Sequence, residues 1–384
     1  MGSTLYLDHA ATTPIRPEVR EAMAPYLDGR FGNPSSVHRW GREARSALER
    51  ARERVAAVLG AQPREIVFTG GGTEADNLAV LGRWRAERRA SAPGPVVCSA
   101  IEHSAVLGAT EAAAGEGAEV VVLAVDERGV VDVGEVEEAL VAEPAVVSVM
   151  WGNNEVGVIQ PMARIAERCR EAGVALHTDA VQAFGKARVR VDEVACDLLA
   201  VSAHKIGGPK GVGALYVRDG IDIEPLVHGG GQERALRPGT QNVAGAVGLA
   251  EAAERAVAAR ESEATKLRSL RDRLEAGLRD RLPGLRTNAG DAERLPHILN
   301  VTIPGVDREA VVMALDLEGV AVSSGSACHS GSIEPSHVLM AMGRADDEAA
   351  TVRFSFGWST TEEEIERAIE RVPSVLDRAR AAAR

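Results

Sequence analysis

A lysine placed where a strand gives way to a glycine-rich loop is well sited to serve as a reactive amine. Ser202-Ala203-His204-Lys205 follows the largely apolar run Asp197–Val201 and leads at once into Ile206-Gly207-Gly208-Pro209-Lys210-Gly211. Apolar neighbours strip solvation from the amine, lower its pKa and ready it for a Schiff base with an aldehyde cofactor such as pyridoxal phosphate. Most lysines at strand ends are solvated surface residues, so the rest of the sequence has to decide. Upstream, a short apolar segment runs into His177-Thr178-Asp179-Ala180-Val181-Gln182, where Asp179 can pair with a pyridinium nitrogen and let the cofactor act as an electron sink. Earlier still, Ile66–Thr69 reads as a strand entering Gly70-Gly71-Gly72-Thr73-Glu74-Ala75-Asp76-Asn77. Glycines followed by a threonine cap open a helix whose N–H groups and dipole hold a phosphate. Alone that turn names no ligand, because the Walker spacing is absent. With the aspartate and the lysine it completes the set that a pyridoxal enzyme needs.

A second reactive group stands in Ser323-Ser324-Gly325-Ser326-Ala327-Cys328-His329-Ser330-Gly331-Ser332, ten residues of which seven are Ser or Gly. So polar a loop offers little to bury a thiol, which favours a reactive Cys328 over an inert one. His329 beside it can favour the thiolate.

These groups need a scaffold. Apolar, β-branched segments recur at 96–100, 120–125, 145–150, 175–178, 198–202 and 212–217, most with alanine-rich or amphipathic stretches between, so a mostly parallel α/β sheet is expected. Arg42–Leu59 has helical apolar spacing and a stop at Gly60, and a long helix should run from Ala244 to Leu282 with Leu267, Leu270, Leu274, Leu278 and Leu282 on roughly one stripe. That helix is the expected bridge to a second domain with strands at 298–303, 320–323 and 352–356 and a helix at 308–318. Thr361-Glu362-Glu363-Glu364 has the form of a capping box for a last helix, which Pro373 should kink or restart.

Composition narrows the class. The 384 residues carry a formal net charge of −12, which argues against a general nucleic-acid or anionic-membrane surface. The N-terminus lacks the pattern of a secretory signal and no long apolar run suggests a membrane span, so a cytoplasmic protein is expected. Cys98, Cys169, Cys196 and Cys328 form no C-x-x-C pair, which speaks against a zinc cage or a disulfide framework, and no metal site is expected.

Further segments are Leu7-Asp8-His9-Ala10-Ala11-Thr12-Thr13-Pro14, Gly32-Asn33-Pro34-Ser35-Ser36, Glu102-His103, Asn153-Asn154-Glu155-Val156-Gly157, Gly229-Gly230-Gly231-Gln232-Glu233, Arg237-Pro238-Gly239-Thr240 and Arg353-Phe354-Ser355. With the lysine, aspartate, glycine and cysteine segments, they make the chain resemble, over nearly its whole length, the cysteine desulfurases of the class V aminotransferase superfamily. The form of the cysteine loop resembles their long-loop group. The resemblance implies pyridoxal-phosphate fold type I: a large domain (15–258) with a mainly parallel seven-stranded sheet, and a smaller α+β domain (1–14 and 259–384) carrying the cysteine loop. It implies Lys205 as cofactor anchor and proton carrier, Asp179 on the ring nitrogen, Gln182 on the ring hydroxyl and His103 stacked on the ring. Thr73, Ser202 and His204 would surround the phosphate, with Thr240 arriving from the second subunit of a homodimer, and Asn154 and Arg353 would bind the substrate carboxylate.

The implied reaction converts L-cysteine to L-alanine and leaves a persulfide on Cys328 for a sulfur-acceptor protein, either an iron–sulfur scaffold or a thiolation enzyme. Two features depart from the pattern. His329 stands where many relatives have a small hydroxyl residue, and the chain ends soon after Arg371 without the extension by which housekeeping relatives dock a scaffold. Iron–sulfur assembly therefore stands beside tRNA thiolation, thio-cofactor synthesis and DNA phosphorothioation as the destination of the sulfur. A class V aminotransferase or selenocysteine lyase would use Lys205 and Asp179 without depending on Cys328.

Overall fold

Valine-rich runs build the sheet that carries the site. The computed structural model describes residues 4–90, 93–306, 308–324, 336–346 and 349–382. In chain order the strands are β1 (Leu5–Tyr6), β2 (Ile66–Thr69), β3 (Val96–Ser99), β4 (Val120–Leu123), β5 (Val146–Ser148), β6 (Leu176–Asp179), β7 (Leu198–Ser202), β8 (Gly213–Val217), β9 (Arg286–Thr287), β10 (Ile298–Pro304), β11 (Val320–Ala321) and β12 (Ala349–Ser355). The helices are α1 (Pro17–Leu27), α2 (Arg39–Leu59), α3 (Gly72–Ala90), α4 (Ser104–Gly115), α5 (Val133–Leu140), α6 (Met162–Ala172), α7 (Val243–Arg281), α8 (Arg308–Leu317), α9 (His337–Ala341) and α10 (Glu362–Ala382).

The main sheet has seven strands in the order β2-β8-β7-β6-β5-β3-β4, and β8 alone runs against its neighbours. Its inner strands are buried on both faces, as a sheet covered by helices on each side requires. Leu199 and Val201 join the core shared with α2 and α7, whereas Leu198 and Ala200 join the core under α3. This alternation is the two-residue period of a strand. Glycine is needed at position 213, because a Cβ there would lie 2.6 Å from the Val201 carbonyl oxygen and 2.7 Å from the Gly71 carbonyl carbon. The glycine turn before α3 can thus lie directly on the sheet.

A separate apolar core gathers Leu5 and Leu7, residues of β10 and β12, and Ile365, Ala368 and Val372 of α10. Helix α7 serves both cores: Ala246 to Ala256 pack in the first, Leu267 to Leu278 in the second. Strand β12 pairs antiparallel with β10, which pairs with β9, while β1 pairs parallel with β11. The capping box forms as expected: the Glu364 N–H donates to Thr361 Oγ1 at 3.2 Å, and the Thr361 N–H donates to Glu364 Oε2 at 2.9 Å. Pro373, however, neither ends nor restarts α10, which continues through it. The carbonyl left without its usual donor, that of Ile369, accepts instead from Arg281 Nη1 at 3.3 Å, and Val372, Val375 and Leu376 stay buried on both sides of the proline.

Cys98, Cys169 and Cys196 are free and buried, and burial pushes the first two thiols up to about 12. They are inert packing residues. Among the described residues no helix is long and apolar enough to cross a membrane.

Candidate active site

Parallel strands end side by side, and their carboxyl ends are where an α/β sheet presents its ligand. Register places Asp179, the last residue of β6, beside Ala200 of β7. Strand β7 ends at Ser202 and turns through His204 and Lys205. The loop after β3 brings His103, and the loop after β5 brings Asn154. Together with Gly72, Thr73, Asp76, Glu155, Val181, Gln182, His337 and Arg353, these residues line a cavity of about 410 Å³, the size of a small-ligand site.

Lys205 is half-buried, and its Nζ donates to the carbonyl oxygens of Ala10 and Ala11 at 2.6 and 2.8 Å. The N-terminal segment is fastened there: Thr13 Oγ1 donates to the His204 carbonyl and accepts from the Gly207 N–H. Sequence reasoning had given Leu7–Pro14 no task, and the structure gives it that of holding the amine. Behind this turn Lys186 Nζ donates to the Lys205 carbonyl at 2.8 Å. Part of Lys186 still meets solvent, yet enclosure by protein, and then the Lys205 charge, lower its pKa to about 7.

Asp179 is 5 % exposed and its Oδ1 accepts the Val181 N–H at 2.8 Å. Burial raises its pKa, while His103, the Val181 N–H and Lys205 pull it down. His103 caps α4, its Nδ1 accepting the Ala105 N–H at 3.1 Å, so in the neutral ring Nε2 carries the proton. Gln182 is held at both ends of its amide, donating to Ala10 O at 2.8 Å and facing His297 Nε2 at 3.2 Å.

Toward the glycine turn lies a second opening lined by Gly70 to Glu74, Asn77, Ser202, His204 and Lys210. Helix α3 begins at Gly72, so Thr73 is not its cap but lies in the first turn, exposed to the cavity. The opening nevertheless meets a helix N-terminus, which can hold an anion, with Ser202 and His204 beside it. His204 faces Thr12 Oγ1 at 3.1 Å and is kept neutral, burial and then the charges of Lys205, Lys210 and Lys186 lowering its pKa to about 4.

Arg353 forms an ion pair: Nη2 donates to Asp8 Oδ1 at 2.9 Å and Nη1 to the Asn154 carbonyl at 2.8 Å. Yet it is only 2 % exposed, lines the cavity, and its buried Nε has no hydrogen-bond partner among the described residues. A carboxylate entering the cavity would satisfy that donor. Thr240 is exposed and does not line the cavity. Cys328 lies outside the described residues, as does His329. The residues flanking that segment touch the cavity walls on both sides. Ser323 exchanges backbone hydrogen bonds with Arg353, Ser336 Oγ donates to Glu155, and His337 Nε2 lies 2.9 Å from the Glu102 carbonyl oxygen.

A buried carboxylate for a ring nitrogen, a lysine for an aldehyde and a helix N-terminus for a phosphate fit pyridoxal phosphate. The class-V aminotransferase family model matches residues 5–368, and the chain belongs to that family, whose cofactor is pyridoxal phosphate. Among relatives, "Cysteine desulfurase IscS" of Dictyoglomus turgidum is 43% identical, the match covering 99% of this chain and 96% of that one. "Cysteine desulfurase IscS" of Methanosarcina thermophila is also 43% identical, covering 98% and 93%. A solved structure described as "NIFS-LIKE PROTEIN" superposes with a TM-score of 0.90 at 36% identity, covering 97% of this chain and 99% of the other.

Proposed function

We propose that the protein is a cysteine desulfurase that converts L-cysteine to L-alanine and collects the sulfur on Cys328 as a persulfide. The observation that carries this reading is the cavity in which Lys205, Asp179, His103 and Arg353 converge, with the described flanks of the Cys328 segment on its rim. When bound, pyridoxal phosphate supplies an electron sink for the carbon bearing the substrate amine. Asp179 holds the ring nitrogen, Gln182 the ring hydroxyl, and Thr73, Ser202 and His204 the phosphate. Arg353 and Asn154 orient the substrate carboxylate, which fixes the Cα–H toward Lys205. Lys205 takes that proton and returns one, and His103 Nε2 shuttles a proton at the cavity wall. The Cys328 thiolate then attacks the substrate sulfur. An S–S bond forms as the C–S bond breaks, and the carbon keeps the electron pair and takes a proton to become the alanine methyl group.

Thr240, exposed in its own protomer, fits a role in the partner's phosphate site, so the working unit is a homodimer. Exposed Phe31, Val37 and Trp40 around the Gly32–Ser36 segment support such an interface. The apolar core of β10, β12 and α10, separate from the cores against the main sheet, supports a large domain at 15–258 and a small one at 1–14 and 259–384. The persulfide passes to an acceptor protein for iron–sulfur cluster assembly or another thiolation, in the cytoplasm.

The test compares the parent with Lys205→Ala and Cys328→Ser, measuring alanine release and, by mass spectrometry, the persulfide. Both variants should lose sulfur transfer, and Lys205→Ala should also lose the cofactor absorbance. Undiminished alanine release from L-cysteine by Cys328→Ser would overturn the persulfide route and favour an aminotransferase or lyase.

A further inference from the structure

Asp76 is an acid that the reaction above does not use. It is 1 % exposed, lines the cavity from the first turns of α3, and its Oδ1 has no hydrogen-bond partner among the described residues. One carboxylate oxygen of Asp76, one of Asp179 and a ring nitrogen of His103 all lie within 4.8 Å of one another. Two buried carboxylates that close repel one another when both are ionised, which favours keeping a proton on one of them. The surroundings decide which acid holds it. Asp179 accepts a backbone N–H and is faced by His103 and Lys205, all of which favour its charged form. Asp76 shares the approach to His103 but is otherwise faced by Asp179, by Glu102 and by His177, whose Nε2 is 3.5 Å away. Neither neighbour on that side supplies a cation. His177 is neutral, burial lowering its pKa to about 3, with Nδ1 engaged by Ser148 Oγ at 2.8 Å. Glu102, whose Oε1 accepts from Ser99 Oγ and the Met150 N–H, is itself pushed up by burial to about 8.

We propose that Asp76 is kept as a neutral carboxylic acid beside Asp179, so that the pair carries one negative charge and Asp179 alone presents it to the cofactor ring. Asp76 is then a positioning residue acting through Asp179, a role that rests on the cofactor reading of Asp179 given above. A second carboxylate would spread negative charge along the α3 side of the cavity, toward the end where the phosphate binds. A neutral acid leaves the charge beside the pyridinium only.

The consequence runs against the usual expectation for an acidic residue in an active site: its charge is dispensable. Asp76→Asn, neutral and of the same shape, should bind pyridoxal phosphate with a Kd within about threefold of the parent and keep the pH titration of the bound cofactor's absorbance unchanged. Infrared difference spectra of the parent and Asp76→Asn holoenzymes at pH 7 should show a protonated-carboxyl band that the variant lacks. This second measurement reads the proton directly, whatever the variant does to affinity. A larger loss of cofactor affinity, a displaced absorbance titration, or loss of a carboxylate band in place of the carboxylic-acid band would overturn the proposal. Asp179→Asn separates the two readings: if it keeps the parent's cofactor affinity and spectrum, the role given to Asp179 fails, while the infrared result for Asp76 stands on its own.

Discussion

Replacing Glu233 by Gln should lower stability by several kcal/mol. Glu233 is 5 % exposed and is clasped by Arg52, Nη1 to Oε2 at 2.7 Å and Nη2 to Oε1 at 2.8 Å, while Oε2 also accepts the Phe68 N–H at 2.9 Å. Its backbone is left-handed, with φ 47°, so the ion pair holds a strained turn against α2 and β2. Arg52 is itself 8 % exposed, and a neutral partner leaves its buried charge with only the more exposed Glu49, Nε to Oε2 at 3.1 Å, to offset it, a loss of about 3–5 kcal/mol. Unfolding entropy of roughly 2.1 cal/mol/K per residue, over 384 residues, is about 0.8 kcal/mol/K, so the melting temperature should fall by roughly 4–6 °C. Scanning calorimetry of the holoenzyme at pH 7 measures it. The double variant Arg52→Met with Glu233→Leu removes both charges and should recover most of the loss. A single variant within about 1 °C of the parent, or a double variant no more stable than the single, would refute the reasoning.

Arg353→Lys keeps a charge but loses the fork; at about 1.5–3 kcal/mol per charge-assisted bond, KM for L-cysteine should rise about tenfold or more with a smaller change in kcat. Steady-state alanine release checks it, and an unchanged KM would remove Arg353 from substrate binding. Lys186 has a folded pKa of about 7, below its unfolded value, so the unfolded chain binds the extra proton between about pH 7 and pH 10.5. The destabilisation is full below pH 7 and is relieved as pH rises through that window. Lys186→Met should therefore gain most in melting temperature over the parent at pH 6 and least at pH 10; a difference independent of pH would show that the charge is not the cause.

Much of the scaffold could be read directly, because strand and helix periods are local properties. The Arg42–Leu59 stripe became a helix from Arg39, with Gly60 at φ 75° ending it, and Ala244–Leu282 became the helix Val243–Arg281. Local rules failed where a distant partner intervened. Pro373 was expected to kink or restart its helix, but the helix runs on through it, with Arg281 supplying the missing donor from another helix. The reversed direction of β8 depends on which strand it joins, something no period encodes.

The sequence by itself determined which reactive groups exist, their order and the cofactor chemistry they share, since Lys205, Asp179 and the Gly70–Thr73 turn each carry a recognisable local context. Only the tertiary structure decided what surrounds them. Ala10 and Ala11 lend carbonyls to Lys205 from 195 and 194 residues away, and Asp8 reaches Arg353 across 345. Asp76, unremarked within its glycine segment, became half of a buried acid pair. Sheet register and packing set such proximities, and burial sets protonation. Both depend on distances that exist only once the chain is folded.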